Sequence, residues 1–256
     1  MVVADLHVHT TNSDGSLTLE TLPAAADRAG VSAVAITDHD RLHPALETPV
    51  VRLDGVTVVH GIELRVDAGF ERVDLLGYGV NPTDSLRELT ERLQTNRIER
   101  GRAIIERVED RLGVELPVEP REGLGRPHIA RAIESASEYS YQDAFDELIG
   151  DGCPCYVARD IPSFEAIRDV LADACGLVSL AHPFRYDDPE AALELCADLD
   201  AVERFYPYGR EIDTRLLDRA VERHDLLVTG GSDAHDETLG VAGLEHDDYR
   251  RFRAAL

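Results

Sequence analysis

Histidine and acidic residues follow most of the short apolar runs of this 256-residue chain, where their side chains could bind metal ions. These residues are His7, His9, Asp14, Asp38, His39, Asp40, Glu63, Asp74, His182, Asp233 and His235. Any single histidine would more often be structural, but ligand-type residues after five or six separate runs favour a metal site. Residues i and i+2 of a strand point to the same face, so His7 and His9 can bind one ion. The mixture of imidazole and carboxylate suits Zn, Mn or Fe(II) better than Ca, which prefers oxygen ligands alone.

The apolar runs themselves have the length and composition of β-strands. Seven runs occur, at residues 2–8, 33–37, 56–62, 73–80, 176–181, 201–206 and 226–229. Helical patterns lie between several of them, at residues 19–29, 163–175, 189–199 and 212–224. This alternation predicts a parallel sheet and an α/β fold, a distorted seven-stranded (β/α) barrel. In such barrels the active site lies at the carboxyl ends of the strands, where the ligand-type residues occur.

A polar, helical segment interrupts this pattern between the fourth and fifth strands. Helical patterns cover residues 85–109, 131–135 and 141–149, and the whole segment is too long for an ordinary connection. We therefore expect a barrel formed by residues 1–83 and 161–256, which bears the metal site. Residues 84–160 are predicted to form an inserted small helical subdomain that contributes to the substrate site.

The charge of the chain is strongly unbalanced. Asp and Glu number 50 against 26 Arg and no Lys, so the formal net charge is −24. A high-GC genome would explain the missing Lys, but we favour a halophile, because molar salt shortens the Debye length to about 3 Å and makes such self-repulsion tolerable. An acidic surface repels duplex nucleic acid, which favours a small or single-stranded phosphate substrate.

Other features of the sequence bear on cellular location. No apolar run approaches the roughly 18 residues of a membrane helix, and no basic segment precedes the first apolar run as in a signal peptide. The four cysteines, Cys153, Cys155, Cys175 and Cys196, lack the spacing of a zinc knuckle and are expected to be free thiols. We therefore expect a cytoplasmic protein with no membrane partner.

The order of these motifs resembles that of the PHP (polymerase and histidinol phosphatase) family. The motifs are Asp5-Leu6-His7-Val8-His9 with Asp14-Gly15, Ile36-Thr37-Asp38-His39-Asp40, Gly61-Ile62-Glu63, Ala181-His182-Pro183 and Gly231-Ser232-Asp233-Ala234-His235. Within the insert, Gly125-Arg126-Pro127-His128-Ile129-Ala130-Arg131 is similar to a narrower branch of that family. Members of this branch act as 3′,5′-nucleoside bisphosphate phosphatases or as 5′-to-3′ exonucleases on short RNA.

The resemblance implies a site for two or three divalent ions. One ion would be bound by His7, His9, Glu63 and Asp233, a second by Glu63, Asp74 and His182, and a third by Asp14, His39 and His235. Asp38 is expected to orient a ligand. Asp74 stands where the branch usually has His, and a carboxylate favours Mn or Mg over Zn. We expect Mn, with Mg, Zn or Fe as the alternatives. Alternatively, Asp74 pairs with an arginine such as Arg72 and binds no ion.

The resemblance further implies hydrolysis of phosphate esters. We expect a metal-bound hydroxide held by Glu63 as nucleophile, with His128 or His235 as proton donor. Four residues would bind the substrate phosphate: Arg126, His128, Arg159 and Arg185.

The expected substrate is a small nucleotide such as a 3′,5′-bisphosphate. The alternatives are a 5′-to-3′ exonuclease on short RNA, a histidinol-phosphate phosphatase, which the insert argues against, and a metal-binding module without catalysis. An amidohydrolase of the kind that bridges its metals with a carbamylated Lys is excluded, because the chain has no Lys.

The charge balance generates a prediction about salt. We expect the protein to lose structure as salt is diluted below the molar range, because its net charge of −24 is then less screened. Far-UV circular dichroism across a salt titration measures this loss. An unchanged melting temperature from low to high salt would remove the halophile interpretation.

Overall fold

The computed structural model describes residues 1–256 and has eight strands, seven of them at the predicted runs. The strands are β1 Ala4–Val8, β2 Ala33–Ile36, β3 Val50–Leu53, β4 Val56–Asp67, β5 Arg72–Tyr78, β6 Leu177–Leu180, β7 Ala201–Phe205 and β8 Leu227–Gly230. The helices are α1 Leu22–Ala29, α2 Asp84–Leu112, α3 Arg126–Ala136, α4 Tyr141–Asp143, α5 Phe164–Ala174, α6 Pro189–Glu194, α7 Arg215–His224 and α8 His246–Ala255. Short helical turns follow α4, β6 and α6, at Ala144–Ile149, Pro183–Arg185 and Leu195–Asp198.

The strands form a nearly closed barrel, in the order β1-β2-β4-β5-β6-β7-β8. Its two edges meet where the His9 N–H donates to the Ala234 carbonyl at 2.9 Å, and Val8 forms a parallel bridge with Ala234. The predicted seven-stranded α/β barrel is confirmed.

The prediction of a wholly parallel sheet is wrong at β5, which runs antiparallel to both β4 and β6. Only four residues, 68–71, join β4 to β5. Parallel strands need a crossover connection of a dozen or more residues. A link of four residues therefore permits only an antiparallel hairpin.

Two elements were not predicted from the sequence. Strand β3 pairs antiparallel with β4 outside the seven-strand path, through a two-residue turn at Asp54 and Gly55. Both turn residues have positive φ, +45° and +92°, the conformation for which an Asp-Gly pair is favoured in hairpins. Helix α8 packs Phe252 edge-to-face against Tyr78 of β5, with ring centroids 5.2 Å apart.

The chain divides into two compact units, residues 1–88 with 161–256, and residues 89–160. In the barrel unit, alternate residues of β2 pack into different clusters. Val34 and Ile36 lie in the cluster that contains α1, whereas Ala33 and Ala35 lie in the cluster that contains Phe252. This alternation is expected of a strand covered on both faces.

The helical unit has its own apolar core. Buried side chains from α2, α3 and the turn after α4 form one cluster, which includes Ile104, Val108, Ile129, Ile133 and Leu148. None of the helices of the structure combines the length and the apolar composition needed to cross a lipid bilayer.

Candidate metal centre

The ligand-type residues of the barrel gather because of where they lie on the strands. His7 and His9 are at the end of β1, and His39 follows β2. His182 follows β6, and Asp233 follows β8. The carboxyl ends of parallel strands meet at one end of a barrel, which brings these side chains together.

Glu63 lies in β4, the strand that pairs in parallel with β2 in its first half and antiparallel with β5 in its second half. Its side chain is buried. Oε1 of Glu63 is 3.4 Å from both His7 Nε2 and His182 Nε2. Oε2 is 2.7 Å from His39 Nδ1 and 3.5 Å from His9 Nε2. One carboxylate therefore contacts four imidazoles.

The first group of potential ligands consists of His7, His9, Glu63 and Asp233. Asp233 Oδ1 is 3.1 Å from His9 Nε2 and 3.5 Å from His7 Nε2. Both imidazoles are fully buried, and neither Nε2 atom makes a hydrogen bond. Buried nitrogens that face carboxylates without a hydrogen bond fit a divalent ion between them, since neutral imidazole is a common metal ligand.

The second group consists of Glu63, Asp74 and His182, all buried. Asp74 lies near the amino end of β5, which antiparallel pairing brings beside the second half of β4. His182 Nε2 is 3.4 Å from Glu63 Oε1 and 3.7 Å from Asp74 Oδ2. These donors fit a second ion that shares Glu63 with the first.

Asp74 also forms a bidentate pair with Arg65. Arg65 Nε is 2.8 Å from Asp74 Oδ1, and Arg65 Nη2 is 2.6 Å from Oδ2. The sequence suggested Arg72 as the partner, but Arg65 is the residue directly opposite Asp74 in the antiparallel register. Asp74 therefore lies within reach of an ion shared with Glu63 and His182, and at the same time pairs with an arginine. The sequence had offered these two roles as alternatives.

The third group consists of His9, Asp14, His39 and His235. Asp14 Oδ1 is 3.4 Å from His235 Nε2 and 3.9 Å from His39 Nε2. The His9 ring stacks at 4.3 Å on both His39 and His235. His9, which the resemblance assigned only to the first ion, therefore lies between the first and third groups. His235 is 38% exposed, so this group is the most open of the three.

The histidines and carboxylates of the centre shift each other's pKa values. Burial raises the pKa of Glu63, but His39 and His7 outweigh burial and bring the pKa well below its usual value. Burial likewise raises the pKa of Asp233, and the neighbouring His7 and His9 lower it. The carboxylates are therefore held ionised, which is the form that binds metal.

The backbone is in the left-handed region at two of these residues. His182 has φ +26° and Asp233 has φ +52°. Such conformations cost non-glycine residues about 1–3 kcal/mol and persist only where the surroundings enforce them. At both positions the strand end turns sharply as it presents its side chain to the site.

Buried carboxylates outside the three groups hold these strand ends. Asp38 accepts hydrogen bonds from the Thr10 N–H and hydroxyl and from the Ser13 hydroxyl, each at 2.7 Å. Asp38 thus fixes the loop that joins β1 to Asp14.

Asp5 and Glu203 received no predicted role. Asp5 accepts hydrogen bonds from the Ser232 N–H at 2.9 Å and from the Ser232 hydroxyl at 2.6 Å, and so fixes the segment that bears Asp233. Glu203 of β7 contacts His7 and His182. The available signal was an acidic residue inside an otherwise apolar predicted strand, which is rarely buried without a partner.

Arg185 lies at the edge of the first group. Its Nη1 is 3.2 Å from Asp233 Oδ2 and 2.9 Å from the Tyr206 hydroxyl, which itself donates to Asp233 Oδ2 at 2.9 Å. The Arg185 side chain is 51% exposed, so its other guanidinium nitrogens could bind a phosphate. Tyr206 was not predicted as a site residue.

The other predicted substrate residues belong to the helical unit. Arg126 pairs with Asp151 at 2.6 Å. His128 Nδ1 accepts the Gly125 N–H at 3.0 Å, which leaves the proton of a neutral ring on Nε2.

Several arginines lie near one another in this unit. Burial, with Arg126 and Arg159 nearby, lowers the pKa of Arg100 to about 10. Arg100, which the sequence did not single out, thus belongs to a group of arginines within an otherwise acidic chain.

The geometry predicts which substitutions remove metal without unfolding the chain. His7→Ala and Asp233→Ala should each lower the number of divalent ions bound per chain, because each removes a donor at a strand end, where packing contributes less to stability. Inductively coupled plasma mass spectrometry after dialysis measures the content, with circular dichroism as the test of folding. His246→Ala, on the exposed first turn of α8, is the matched control. Wild-type metal content in both site variants would contradict the assignment.

Comparison with known proteins identifies relatives along the whole chain. Residues 5–194 match the PHP domain. The chain is 34% identical to a phosphoribosyl 1,2-cyclic phosphate 1,2-diphosphodiesterase of Eggerthella lenta, over 91% of this chain and 94% of the relative. It is 28% identical to a 3′,5′-nucleoside bisphosphate phosphatase of Chromobacterium violaceum, over 97% and 92%. It is 32% identical to the 5′-3′ exoribonuclease Rnm of Salmonella typhimurium, over 91% and 85%.

A solved structure has the same fold. The crystal structure of a candidate metal-dependent phosphoesterase from Bifidobacterium adolescentis matches with a TM-score of 0.79 at 26% identity, covering 99% of this chain and 96% of that one. The domain match covers well over half of the residues and includes the strands that bear His7, Glu63 and His182. The chain therefore belongs to the PHP domain family.

Proposed function

We propose that this metal-dependent phosphoesterase is a phosphatase that acts on a small nucleotide such as a 3′,5′-nucleoside bisphosphate. The observation that carries the chemistry is the position of Glu63, whose two oxygens face different imidazoles of adjacent ligand groups. A carboxylate shared in this way is suited to hold two ions close together, as in enzymes that clamp the attacking and leaving oxygens of a phosphate ester.

Divalent ions bound at these groups would neutralise the phosphate and lower the pKa of water, two effects that phosphate ester hydrolysis requires. The chain itself provides the donors that hold the ions and, in Arg185, a cation for a phosphate oxygen. Its guanidinium would bind that oxygen while Asp233 and Tyr206 hold it in place.

The two predicted proton donors differ in their hydrogen bonds. The Nδ1 atom of His235 lies 2.9 Å from the Asp233 carbonyl oxygen, and its Nε2 faces Asp14. A neutral ring that donates from Nδ1 has a lone pair on Nε2, which suits a metal ligand better than a proton donor. His128 has the opposite arrangement, since its Nδ1 accepts the Gly125 N–H. We therefore propose His128 as the proton donor and His235 as a ligand.

The substrate proposal is supported by three features. A bisphosphate phosphatase is among the relatives that align over nearly the whole chain. The helical unit contains the predicted phosphate-binding residues Arg126, His128 and Arg159, and the net charge of −24 disfavours long polyanions. Two other relatives, an exoribonuclease and a cyclic phosphate diesterase, make those activities the specific alternatives.

A substrate panel tests this proposal. We expect metal-dependent release of phosphate from a 3′,5′-nucleoside bisphosphate to be at least about tenfold faster, in kcat/KM, than from histidinol phosphate, a difference of about 1.4 kcal/mol in transition-state binding. Mononucleotide release from short single-stranded RNA, or opening of a phosphoribosyl cyclic phosphate, is measured in parallel. Faster turnover of either would replace the proposed substrate. Turnover of none, by a metal-loaded and folded chain, would support a non-catalytic module and contradict the phosphatase proposal.

We propose Mn(II) as the metal, on the basis of Asp74. A carboxylate is a harder donor than imidazole and favours Mn(II) or Mg(II) over Zn(II). Because Arg65 forms a bidentate pair with Asp74, it offsets the added negative charge. The preference should therefore depend on the oxygen donor more than on net charge.

Substitution of Asp74 tests this preference. In Asp74→His, the ratio of Zn-supported to Mn-supported activity should rise several-fold, because the second group gains an imidazole. Asp74→Asn, which keeps the shape of the side chain, should lower metal content. Competition binding with Mn(II) and Zn(II) provides a measurement independent of turnover. If both variants keep the parent's metal content and preference, Asp74 is not a ligand.

We also propose a cytoplasmic, halophilic protein. All four cysteines are free thiols, as is usual in a reducing compartment. Burial raises the pKa of the Cys196 thiol to about 12, so this cysteine is an unreactive core residue. The proposal of a halophile is supported by the absence of Lys and by the net charge of −24.

A further inference from the structure

Glu203 is a carboxylate that the proposed chemistry does not use, although it touches the candidate metal centre. It is the third residue of β7, paired with Thr229 of β8, and it is fully buried. A buried carboxylate is costly unless hydrogen bonds satisfy both of its oxygens. The hydrogen-bond partners of its two oxygens therefore indicate the role of Glu203.

Each oxygen of Glu203 contacts a residue of a different ligand group. Oε1 is 3.0 Å from His7 Nδ1, and Oε2 accepts the backbone N–H of His182 at 2.8 Å. His7 belongs to the first group and His182 to the second. Glu203 is thus bonded to one potential ligand of each group without belonging to either.

The contact with His7 determines which ring nitrogen carries the proton. A carboxylate can only accept, so Nδ1 of His7 must donate to it. In the neutral ring, the lone pair is then on Nε2, the atom that faces Glu63 and Asp233. If Nδ1 lost its acceptor, the proton could move to Nε2 and occupy the position of the ion.

The contact with His182 supports a strained backbone. His182 has φ +26° and ψ +59°, a conformation that L-residues seldom adopt. The hydrogen bond from its N–H to Glu203 ties this turn to β7. The same side chain therefore controls the orientation of one ligand and the backbone position of another.

We propose that Glu203 is a positioning residue that holds His7 as the Nδ1–H tautomer and fixes the His182 turn, and so sets the geometry of two adjacent ion sites together. This inference rests on the proposed metal-dependent function. Partners that orient metal-bound histidines typically change metal affinity by 10–100-fold when removed, which is the size of effect expected here.

Glu203→Gln is the informative variant because it keeps the size of the side chain. Its amide has one acceptor oxygen and a donor NH2, so it can accept from only one of its two partners. If the oxygen accepts from the His182 N–H, the amide NH2 faces His7 Nδ1 and favours the Nε2–H tautomer. We expect metal affinity to fall about 10–100-fold, as measured by calorimetric titration with Mn(II).

A second readout separates positioning from a merely structural role. Burial lowers the pKa of His7, but Glu203, Asp233 and Glu63 raise it well above its usual value. Long-range ¹⁵N–¹H spectra of the metal-free protein are therefore recorded at a pH high enough for the His7 ring to be neutral, where they report its tautomer. The wild type should show Nδ1–H, and Glu203→Gln should show Nε2–H with unchanged circular dichroism. Asp200→Asn makes the same chemical change next to β7, where Asp200 accepts the Val178 N–H and touches no ligand, and should alter neither readout.

The outcomes are distinguishable. Wild-type metal affinity together with an Nδ1–H ring in Glu203→Gln would overturn the proposal. If Glu203→Gln fails to fold, Glu203→Asp, which keeps a carboxylate acceptor, should fold and show the Nδ1–H tautomer of His7 with intermediate metal affinity. An Nε2–H ring of His7 in the wild type would overturn the proposal by itself. If the wild type binds no divalent metal, the proposed function fails, while the metal-free spectra still test the His7–Glu203 contact.

Discussion

Glu63 is a buried carboxylate among four imidazoles, at distances of 2.7 to 3.5 Å, and the arrangement of the barrel mouth depends on it. Burial of an ionised group costs several kcal/mol unless opposite charge and hydrogen bonds compensate for it. Compensation here requires that four side chains from three strand ends, those of β1, β2 and β6, arrive at the same point. The same requirement makes the centre suitable for divalent cations, which can take the place of the protons on these groups.

A set of polar contacts around the centre meets this requirement. Asp38 holds the loop after β1, Asp5 holds the segment after β8, and Glu203 joins β1 to the turn after β6. Asp38 follows β2, whereas Asp5 and Glu203 lie inside β1 and β7. All three use their oxygens on backbone, hydroxyl or ring donors. Since metal ligands must converge within a few tenths of an ångström, these contacts matter to the chemistry although they touch no ion.

The antiparallel course of β5 has a comparable effect. A parallel strand at this position would begin at the opposite end of the barrel from the ligands. Because β5 returns directly from β4, its amino end lies beside the second half of β4, and Asp74 joins His182 in the second ligand group. The same register places Arg65 opposite Asp74, so one hairpin provides both the ligand and the cation that balances its charge.

The sequence by itself determined the α/β barrel, the positions of seven strands and a ligand-type set of residues, because apolar periodicity and the residues at strand ends are local features. It did not reveal the direction of β5, although the short link between β4 and β5 was a signal that could have been used. It also did not reveal β3, although the Asp54-Gly55 pair indicated a hairpin turn there. It also did not reveal the roles of Asp5, Glu203 and Tyr206, since a lone polar residue within an apolar run does not name its partner. Only the tertiary structure decided that His9 lies between two ligand groups, that Arg65 pairs with Asp74, and that Glu203 joins His7 to His182. The contacts of His9 and Glu203 join residues far apart in the chain, whereas the contact of Arg65 with Asp74 joins the two strands of one hairpin. The distances of all of them depend on strand register and closure of the barrel, which no local pattern encodes.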